Sequence, residues 1–234
     1  MCIIALLLTA ALPSFVHASE IPESRRSRES VERVQPRLLR DLQSKGLDLG
    51  RPIFIRIFKE PMELELWVQG ADGFELFRQY DICAASGDLG PKLREGDNQS
   101  PEGFYYVTPE RLNPNSSYHL SFNLGYPNTY DRFHGRTGSA LMVHGRCVSI
   151  GCYAMTDPAI EEIYALADAA FRGGQSFFRA HVFPFRMSNE RLQQEAHSKW
   201  IEFWENLQRG YEYFEREGRP PNVRVSAGKY TFEE

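Results

Sequence analysis

The alternation of hydrophobic and polar positions between residues 53 and 83 predicts three β-strands. Turn-forming residues separate the apolar runs, which cover residues 53–58, 62–68 and 74–83. Because the separating segments are short, we expect an antiparallel meander. Within the second run Glu63 and Glu65 alternate with apolar residues, a pattern that predicts one water-facing side. We therefore expect these two carboxylates to be solvated and not catalytic.

Further along the chain the spacing of apolar residues predicts helices. The sequence Thr156-Asp157-Pro158 predicts an N-cap followed by proline at the start of a helix that stops at Gly173. A long helix is expected from about Asn189 to Glu217, with an aromatic-rich stripe that is more typical of core packing than of a binding face. Pro36 is expected to open a shorter helix, after a polar surface segment. Two further strands are predicted at residues 103–108 and 177–185.

The stretch from His144 to Met155 carries the strongest candidate chemistry. An apolar run precedes His144, which predicts that this residue ends a buried strand. Cys152 follows after small residues and Gly151, and the predicted helix starts shortly after it. A strand, a glycine-containing turn and a helix therefore bracket a thiol.

This arrangement suits a cysteine nucleophile. A thiol attacks as its thiolate, and at a reference pKa of about 8.5 only a few per cent is ionised near neutral pH. His144 can accept the thiol proton, and the N-terminus of the following helix can favour the negative charge. The backbone N–H groups of Gly151 and Cys152 can hold an oxyanion. The residues themselves therefore indicate thioacyl-enzyme catalysis.

The same residues resemble a known family. The sequence His-Gly followed by Ser-x-Gly-Cys, within residues 144–152, resembles the signature of the YkuD family of L,D-transpeptidases, and its continuation through Met155 is similar to the YafK-like branch. Residues 100–105 and 181–186 are also similar to this branch, so that the resemblance covers about residues 51–230.

The resemblance implies a fold and a set of site residues. The implied fold is α+β, a mainly β catalytic domain of the YkuD-like sandwich or barrel type with packed α-helices, including a long C-terminal helix. On the same likeness Cys152 is the nucleophile and His144 the general base, while Ser149 and Gly151 shape the turn that orients them.

The resemblance also implies a reaction. In the family a cysteine thiol attacks a diaminopimelate carbonyl of a peptidoglycan stem peptide, and the thioacyl group then passes to an amine or to water. The YafK-like branch is linked to cleavage of the bond between diaminopimelate and an outer-membrane lipoprotein. This chain departs from the commoner pattern by Ile150 in place of a histidine and by a short insert between His144 and Ser149. Both changes alter the pocket walls and bear on the acceptor.

A polar stretch at residues 109–138 precedes the catalytic strand and carries several aromatic residues and arginines. Such a loop can line a groove for a peptide that bears carboxylates. We expect Arg132 or Arg136 to bind a substrate carboxylate, and Tyr153, next to the nucleophile, to contact substrate. The alternative is that these arginines are surface residues, paired with Asp131 or unpaired.

A different combination of residues has spacings close to those of a zinc site. It comprises His134, His144, Cys147 and Cys152. Structural zinc sites usually have tighter knuckles, and nothing else in the chain resembles a zinc finger. We therefore expect neither a metal nor another cofactor.

Composition narrows the function classes. The chain has 234 residues, of which 42% are hydrophobic and 13% aromatic, enough to bury a sizeable core. Its formal net charge of −4 argues against general nucleic-acid binding, which needs a basic surface.

The first 18 residues contain no Lys, Arg, Asp or Glu and end in the small residue Ala18. This predicts a signal peptide at residues 1–18 and a periplasmic location, the alternative being a buried N-terminal strand or helix. We expect residues 19–50 to form a lead-in with one helix, and residues 51–234 to form the catalytic domain with its C-terminal helical extension.

Export bears on the cysteines, because disulfides form in oxidising compartments. Three cysteines remain after Cys2, and an odd number implies at least one free thiol. A catalytic Cys152 must be reduced. Cys83 and Cys147 are then either a disulfide pair or two buried thiols.

The sequence thus predicts an exported enzyme that forms a thioacyl intermediate at a diaminopimelate carbonyl and passes it to an amine. Two alternatives stay open. One is a hydrolase of the same class that uses water to cleave the diaminopimelate–lysine link to an outer-membrane lipoprotein, and the other is a non-catalytic cell-wall binding module. The expected partners are peptidoglycan stem peptides, with that lipoprotein as a further candidate.

Overall fold

A computed structural model describes residues 21–233. The predicted signal peptide, residues 1–18, lies outside the described residues. Within residues 21–233 no helix is both long enough and apolar enough to cross a membrane.

Short strands and helices alternate along the described chain. The strands are β1 (Ile53–Phe58), β2 (Glu63–Gln69), β3 (Phe74–Asp81), β4 (Gly103–Val107), β5 (Leu112–Asn113), β6 (Ser121–Asn123), β7 (Met142–His144), β8 (Tyr153–Ala154), β9 (Phe178–Phe183), β10 (Asn222–Ser226) and β11 (Lys229–Glu233). The helices are α1 (Arg25–Gln43), α2 (Thr129–Phe133), α3 (Asp157–Arg172), α4 (Asn189–Gln194) and α5 (Ile201–Glu217), with a 3-10 turn at Pro109–Arg111.

The larger sheet has five strands in the order β3-β2-β1-β9-β4. Strands β1, β2 and β3 form the predicted antiparallel meander, which is confirmed. Strand β9 then pairs parallel to β1 and antiparallel to β4, so that β4 is an edge strand. The predicted strands at residues 103–108 and 177–185 are confirmed as β4 and β9, within a few residues at their ends.

Both faces of this sheet are covered, which makes the prediction of solvated carboxylates on β2 wrong for Glu65. Its side chain is buried, with 3% of the residue exposed, and it accepts hydrogen bonds from Arg56 at 2.8 Å and Arg186 at 2.7 Å. The covering element is α5, whose Phe214 packs on Phe54 of β1. A strand with strict alternation is half-exposed only when no later element packs on its polar side.

The smaller sheet carries the candidate site. Its four strands run in the order β5-β6-β7-β8, with β7 and β8 parallel. Helices α1 and α3 pack together against a hydrophobic core that both sheets share, with buried residues that include Leu38, Ile55, Phe122 and Leu166. Helix α3 confirms the predicted N-cap at Thr156, whose hydroxyl accepts the N–H of Ala159.

The N-terminal helix is longer than predicted. It begins at Arg25 and contains Pro36, which was expected to open it. Ser24 forms a capping box with Ser27, and this supplies a helix start signal twelve positions before Pro36. The segment at residues 25–35 is therefore helical, and most of its side chains are exposed, as expected of a surface segment.

The predicted long C-terminal helix is two helices, and this prediction is wrong in that respect. Helix α4 ends at Gln194, and α5 begins at Ile201. Between them the Ser198 hydroxyl accepts the N–H of Trp200, whose ring lies directly over Gly90. The tertiary contact of this ring with a distant loop competes with the continuous helix that periodicity alone favours. The termination of α5 at Gly218, in the left-handed conformation, is confirmed.

Helices on two strand-rich layers make the fold α+β, as predicted. The C-terminal hairpin of β10 and β11 packs on α5 through Tyr230, whose backbone N–H and carbonyl both bond to Asn206. This hairpin lies beside the edge strand β4, because Tyr230 also packs edge-on against Phe104.

Candidate active site

The register of β7 and β8 places His144 and Cys152 on one face of the smaller sheet. Val143 pairs with Tyr153, and His144 pairs with Ala154. One step earlier in the same register the backbone N–H of Met142 donates to Sγ of Cys152 at 3.4 Å. Paired residues of parallel strands share a face, and successive residues alternate. The small Ala154 therefore leaves room between the thiol and the imidazole.

His144 is held as a neutral base. The residue is 3% exposed, and its Nδ1 lies 2.6 Å from the carbonyl oxygen of Gly145. A carbonyl only accepts, so Nδ1 carries the proton and Nε2 is the unprotonated nitrogen. Burial lowers the pKa of His144 below its usual value. The ring also lies against Tyr118, with 4.7 Å between centroids. The imidazole is thus fixed in orientation and ready to accept a proton at Nε2.

Cys152 is the free cysteine among the described residues. Burial raises the pKa of the Cys152 thiol, while the Met142 N–H and the positive charge of Lys92 act in the opposite direction. The thiol donates a long contact of 3.6 Å to the carbonyl of Ala140. Within residues 21–233 no hydrogen bond joins Sγ to the His144 ring. The directions of the two pKa shifts favour the neutral forms, a thiol and an imidazole.

The loop between His144 and Cys152 is tied internally. The Ser149 hydroxyl donates to the carbonyl of Cys152 at 2.7 Å and accepts the N–H of Gly151 at 3.1 Å. Gly151 has φ +143°, a conformation that side chains disfavour, and an added Cβ would lie 3.4 Å from Leu141. The Gly151 N–H is bonded to the Ser149 hydroxyl, so it would have to exchange this bond to hold an oxyanion. The N–H of Cys152 remains as the candidate donor.

Helix α3 begins at Asp157, where the sequence predicted its start. Strand β8 lies between the cysteine and α3. At the start of α3 the Asp157 carboxylate accepts the N–H of Arg146 at 2.8 Å, so this end of the helix braces the loop near His144.

A disulfide joins Cys83 to Cys147, which decides between the two alternatives left by the sequence. The Cα atoms are 5.2 Å apart, and the bond links the end of β3 to the catalytic loop across 64 positions. Cys147 is therefore not a zinc ligand, and His134 instead bonds the carbonyl of Gly228. Within the described part of the chain no group of three or more His, Cys, Asp or Glu residues could hold a metal ion.

Two of the three predicted substrate-binding residues have other positions. Tyr153 is fully buried and donates to the carbonyl of Pro101 at 2.7 Å, because it faces the core side of β8. Arg136 pairs with Asp131 at 2.9 Å, as the stated alternative had it, but its side chain is buried and not on the surface. Arg132 is exposed on α2 and bonds the carbonyl of Pro127, in a groove whose lining includes neither His144 nor Cys152.

The sequence missed Lys92. This lysine is 4% exposed and pairs with Asp97 at 2.5 Å, while its charge acts on Cys152. It lies in the segment at residues 86–100, which is rich in Gly, Asp, Lys and Pro, a composition that predicts a long loop. The Tyr126 hydroxyl donates to the Lys92 carbonyl and fixes this loop. The length of the loop indicated that it could cover a site, but no rule of residue spacing connects Lys92 to Cys152.

Comparison with known proteins agrees with this geometry. A family model of the L,D-transpeptidase catalytic domain, YkuD, matches residues 59–175. The protein named "Putative L,D-transpeptidase YafK" in Escherichia coli strain K12 is 46% identical over 182 residues, which cover 78% of this chain and 74% of that protein. The same figures hold for the protein of that name in Escherichia coli O157:H7.

Solved structures are more distant. The helical cell shape determining protein Pgp2 of Campylobacter jejuni is 17% identical, with a TM-score of 0.47, over 82% of this chain and 80% of that one. Bdellovibrio bacteriovorus Bd1075 is 18% identical, with a TM-score of 0.39, over 70% of this chain and 58% of that one.

The matched residues include His144 and Cys152 and the whole loop between them. From the family match and the identity to YafK together, the chain belongs to the YkuD family of L,D-transpeptidase catalytic domains, in its YafK-like branch.

Proposed function

We propose that this protein is an exported peptidoglycan enzyme that transfers an acyl group through a thioester on Cys152. The observation that carries the proposal is the shared face of β7 and β8, which presents one free thiol beside one imidazole with an unprotonated Nε2. Membership of the L,D-transpeptidase family supports peptidoglycan stem peptides as the substrate class.

The first half of the reaction follows from the site. Nε2 of His144 takes the proton from the Cys152 thiol as Sγ attacks the carbonyl carbon of diaminopimelate in a stem peptide. The N–H of Cys152 faces the developing oxyanion, which a backbone donor can stabilise. The proton on Nε2 then passes to the departing amine of the terminal residue. The products are a free amino acid and a thioester between Cys152 and the stem peptide.

The second half regenerates the enzyme. Nε2 removes a proton from an incoming amine, the amine attacks the thioester carbon, and the thiol leaves with the proton from His144. The acceptor side is where this chain departs from the commoner family pattern. The Ile150 side chain, 81% exposed beside the nucleophile, replaces a histidine with an apolar group. This replacement changes the acceptor wall while it leaves the thiol and base in place.

The test is mass spectrometry of purified muropeptides incubated with the wild-type protein and with Cys152→Ala. Parallel reactions contain a peptide joined to diaminopimelate through a lysine side chain. Cross-linked or exchanged products that vanish in the variant support amine transfer. Simple cleavage of the lysine-linked peptide would instead assign water as the acceptor. Turnover by Cys152→Ala, or none by either protein on any of these substrates, would overturn the thioester mechanism and favour a binding module.

The reaction also predicts a trapped species. His144→Gln is expected to slow both proton transfers by about 10²–10⁴-fold, which is the usual contribution of a general base. If deacylation slows as much as acylation, intact-protein mass spectra of this variant will show little adduct. An adduct that persists on wild type without acceptor, with the mass of the stem peptide less its terminal residue, identifies the thioester.

A further inference from the structure

A second groove lies over the face of the β4–β9 pair that carries Phe104, Tyr106, Arg179 and His181. It has a volume of about 630 Å³ and is formed by β4, the start of β9, the segment around α2 and the β10–β11 hairpin. Its lining residues include none from the loop at residues 144–152, so it is separate from the catalytic cleft. The lining that matters below comprises Tyr106, Arg111, Arg132, Phe177, Arg179 and His181.

The groove is cationic. Four arginines line it, and its lining contains no Asp or Glu. Arg224 pairs with Glu233 at 3.2 Å. Among the described residues the other three, Arg111, Arg132 and Arg179, have no carboxylate within ion-pair distance. They bond instead to neutral oxygens, which are the carbonyls of Tyr106 and Pro127 and the side chain of Asn222. Three guanidinium groups therefore face one groove without a carboxylate partner among residues 21–233.

Aromatic rings hold two of these guanidinium groups in place. Arg111 lies over Tyr106 at 4.7 Å, and Arg179 lies over Phe177 at 5.1 Å. The two rings contact each other edge to face, at 5.8 Å between centroids. Stacked, planar guanidinium groups lose little freedom when they bind a carboxylate through two parallel hydrogen bonds. The groove is thus preorganised for planar anions.

His181 adds a buried polar atom without a partner. The residue is 1% exposed, lines the groove, and lies between the rings of Phe54 and Phe104. Its Nδ1 has no hydrogen-bonding partner within residues 21–233. Burial and the nearby arginine charges lower its pKa well below the usual value, so the ring is neutral. Buried polar atoms in proteins are usually satisfied, and a ligand in the groove would supply the missing partner.

The open edge of β4 is already protected. Asn128 donates to the carbonyl of Phe104, and Arg111 donates to that of Tyr106. A ligand therefore cannot join the sheet as an extra strand through these two carbonyls. Side-chain contacts to the arginines are the remaining mode of recognition.

We propose that this groove is a second binding site, which holds a carboxylate-bearing peptide of peptidoglycan while the cleft at Cys152 acts on another. The inference rests on the proposed function for the identity of the peptide. Peptidoglycan stem peptides carry several carboxylates, and the three arginines without counter-ions match that chemistry. Binding at two places on one polymer raises the effective concentration of substrate at the cleft.

The test measures binding without catalysis, so that it stays informative if the enzyme proves inactive. Full-length mature protein carrying Cys152→Ala is sedimented with purified peptidoglycan sacculi, and the dissociation constant is compared with that of Cys152→Ala/Arg111→Gln/Arg179→Gln. Each lost bidentate contact removes a charge-assisted interaction, so we expect binding about tenfold weaker or more. Arg219→Gln on the same background, an exposed arginine that does not line the groove, is the matched control and should bind as the parent does.

Two further arms identify the ligand chemistry. The parent protein should bind sacculi whose carboxylates have been converted to amides no more tightly than the arginine variant binds unmodified sacculi. Inorganic phosphate at millimolar concentration should not displace the parent protein from intact sacculi. It should also not bring back a difference in binding between the parent and the arginine variant on amidated sacculi. Equal binding by the parent and the arginine variant overturns the proposal, and so does undiminished binding to amidated sacculi. If the double arginine variant fails to fold, Arg132→Gln, on the exposed face of α2, carries the same comparison.

Discussion

The backbone N–H of Met142 donates to Sγ of Cys152 two positions before His144 on the same strand. One short strand thus contacts the proposed nucleophile with its backbone and supplies the proposed base with its side chain. The alignment depends on the register of β7 with β8, which a one-residue slip would destroy by moving His144 to the core side. The site is therefore a property of strand pairing and not of a flexible loop.

The decrease in activity at low pH should reflect protonation of His144. Burial disfavours the imidazolium, so His144 loses its proton at a lower pH than a free histidine and is already a neutral base at pH 7. We expect kcat/KM to fall on acidification with a midpoint below 6.5, the usual histidine value. The measurement is a pH profile of kcat/KM on a muropeptide, and a midpoint above 6.5 would contradict the neutral-pair description.

Changing the charge near Lys92 should move the thiol in a defined direction. Lys92 favours the thiolate, so Lys92→Met is expected to raise the pKa of Cys152 further. Asp97→Asn removes the partner of Lys92 and is expected to lower the pKa of Cys152 relative to wild type. The rate of alkylation of Cys152 by iodoacetamide as a function of pH gives both values. Shifts of the same sign in the two variants would exclude a direct effect of the Lys92 charge.

Loss of the disulfide should weaken both the fold and the catalytic loop. Cross-links that close loops of this length stabilise proteins by about 2–4 kcal/mol. We expect Cys83→Ala/Cys147→Ala to lose stability of this order in urea unfolding, and kcat to fall because the loop that joins His144 to Cys152 loses its tether. A reducing agent should lower the Tm of wild type towards that of the double variant. The double variant itself should be insensitive to the reductant.

The buried carboxylate on β2 predicts a large cost for a small change. Glu65→Gln removes the buried carboxylate that Arg56 and Arg186 share. Each arginine keeps a second partner, Glu215 or Glu63, so we expect a loss of about 3 kcal/mol, the low end for a broken buried pair. Denaturant unfolding monitored by circular dichroism measures the loss. Glu29→Gln removes a surface pair with Arg25 and should change stability by less than about 1 kcal/mol. Similar losses of unfolding free energy in the two variants would mean that the ion pairs of Glu65 contribute no more than a surface pair does.

The sequence predicted local structure where local signals decide it. The meander, the cap at Thr156 and the end of α5 at Gly218 follow from alternation, capping and glycine geometry, all of which are read within a few residues. The predictions from sequence were wrong where contacts with distant elements determine the local structure. The burial of Glu65 depends on α5, and the break before Trp200 depends on a loop around Gly90.

The candidate site divides in the same way. The pairing of a thiol with an imidazole could be predicted, because both lie in one short stretch between a strand and a helix. Three features could not be predicted, since each depends on which side of a strand faces the core. They are the hydrogen bond that Nδ1 of His144 donates to the Gly145 carbonyl, the charge of Lys92 near Cys152, and the burial of Tyr153. Arg136 likewise met a local partner, Asp131, that a carboxylate substrate would have had to displace.

The position of Cys83 decides which of two nearby thiols is oxidised. Its backbone N–H bonds the carbonyl of Ala154, which places it beside the strand that follows Cys152, yet its sulfur is joined to Cys147. Sheet assembly during maturation therefore determines which cysteine forms a disulfide with Cys147. A chain oxidised before β3 reaches this strand can close the short ring between Cys147 and Cys152, which consumes the nucleophile, whereas a chain that folds first protects it. The yield of active enzyme should depend on the order of folding and oxidation.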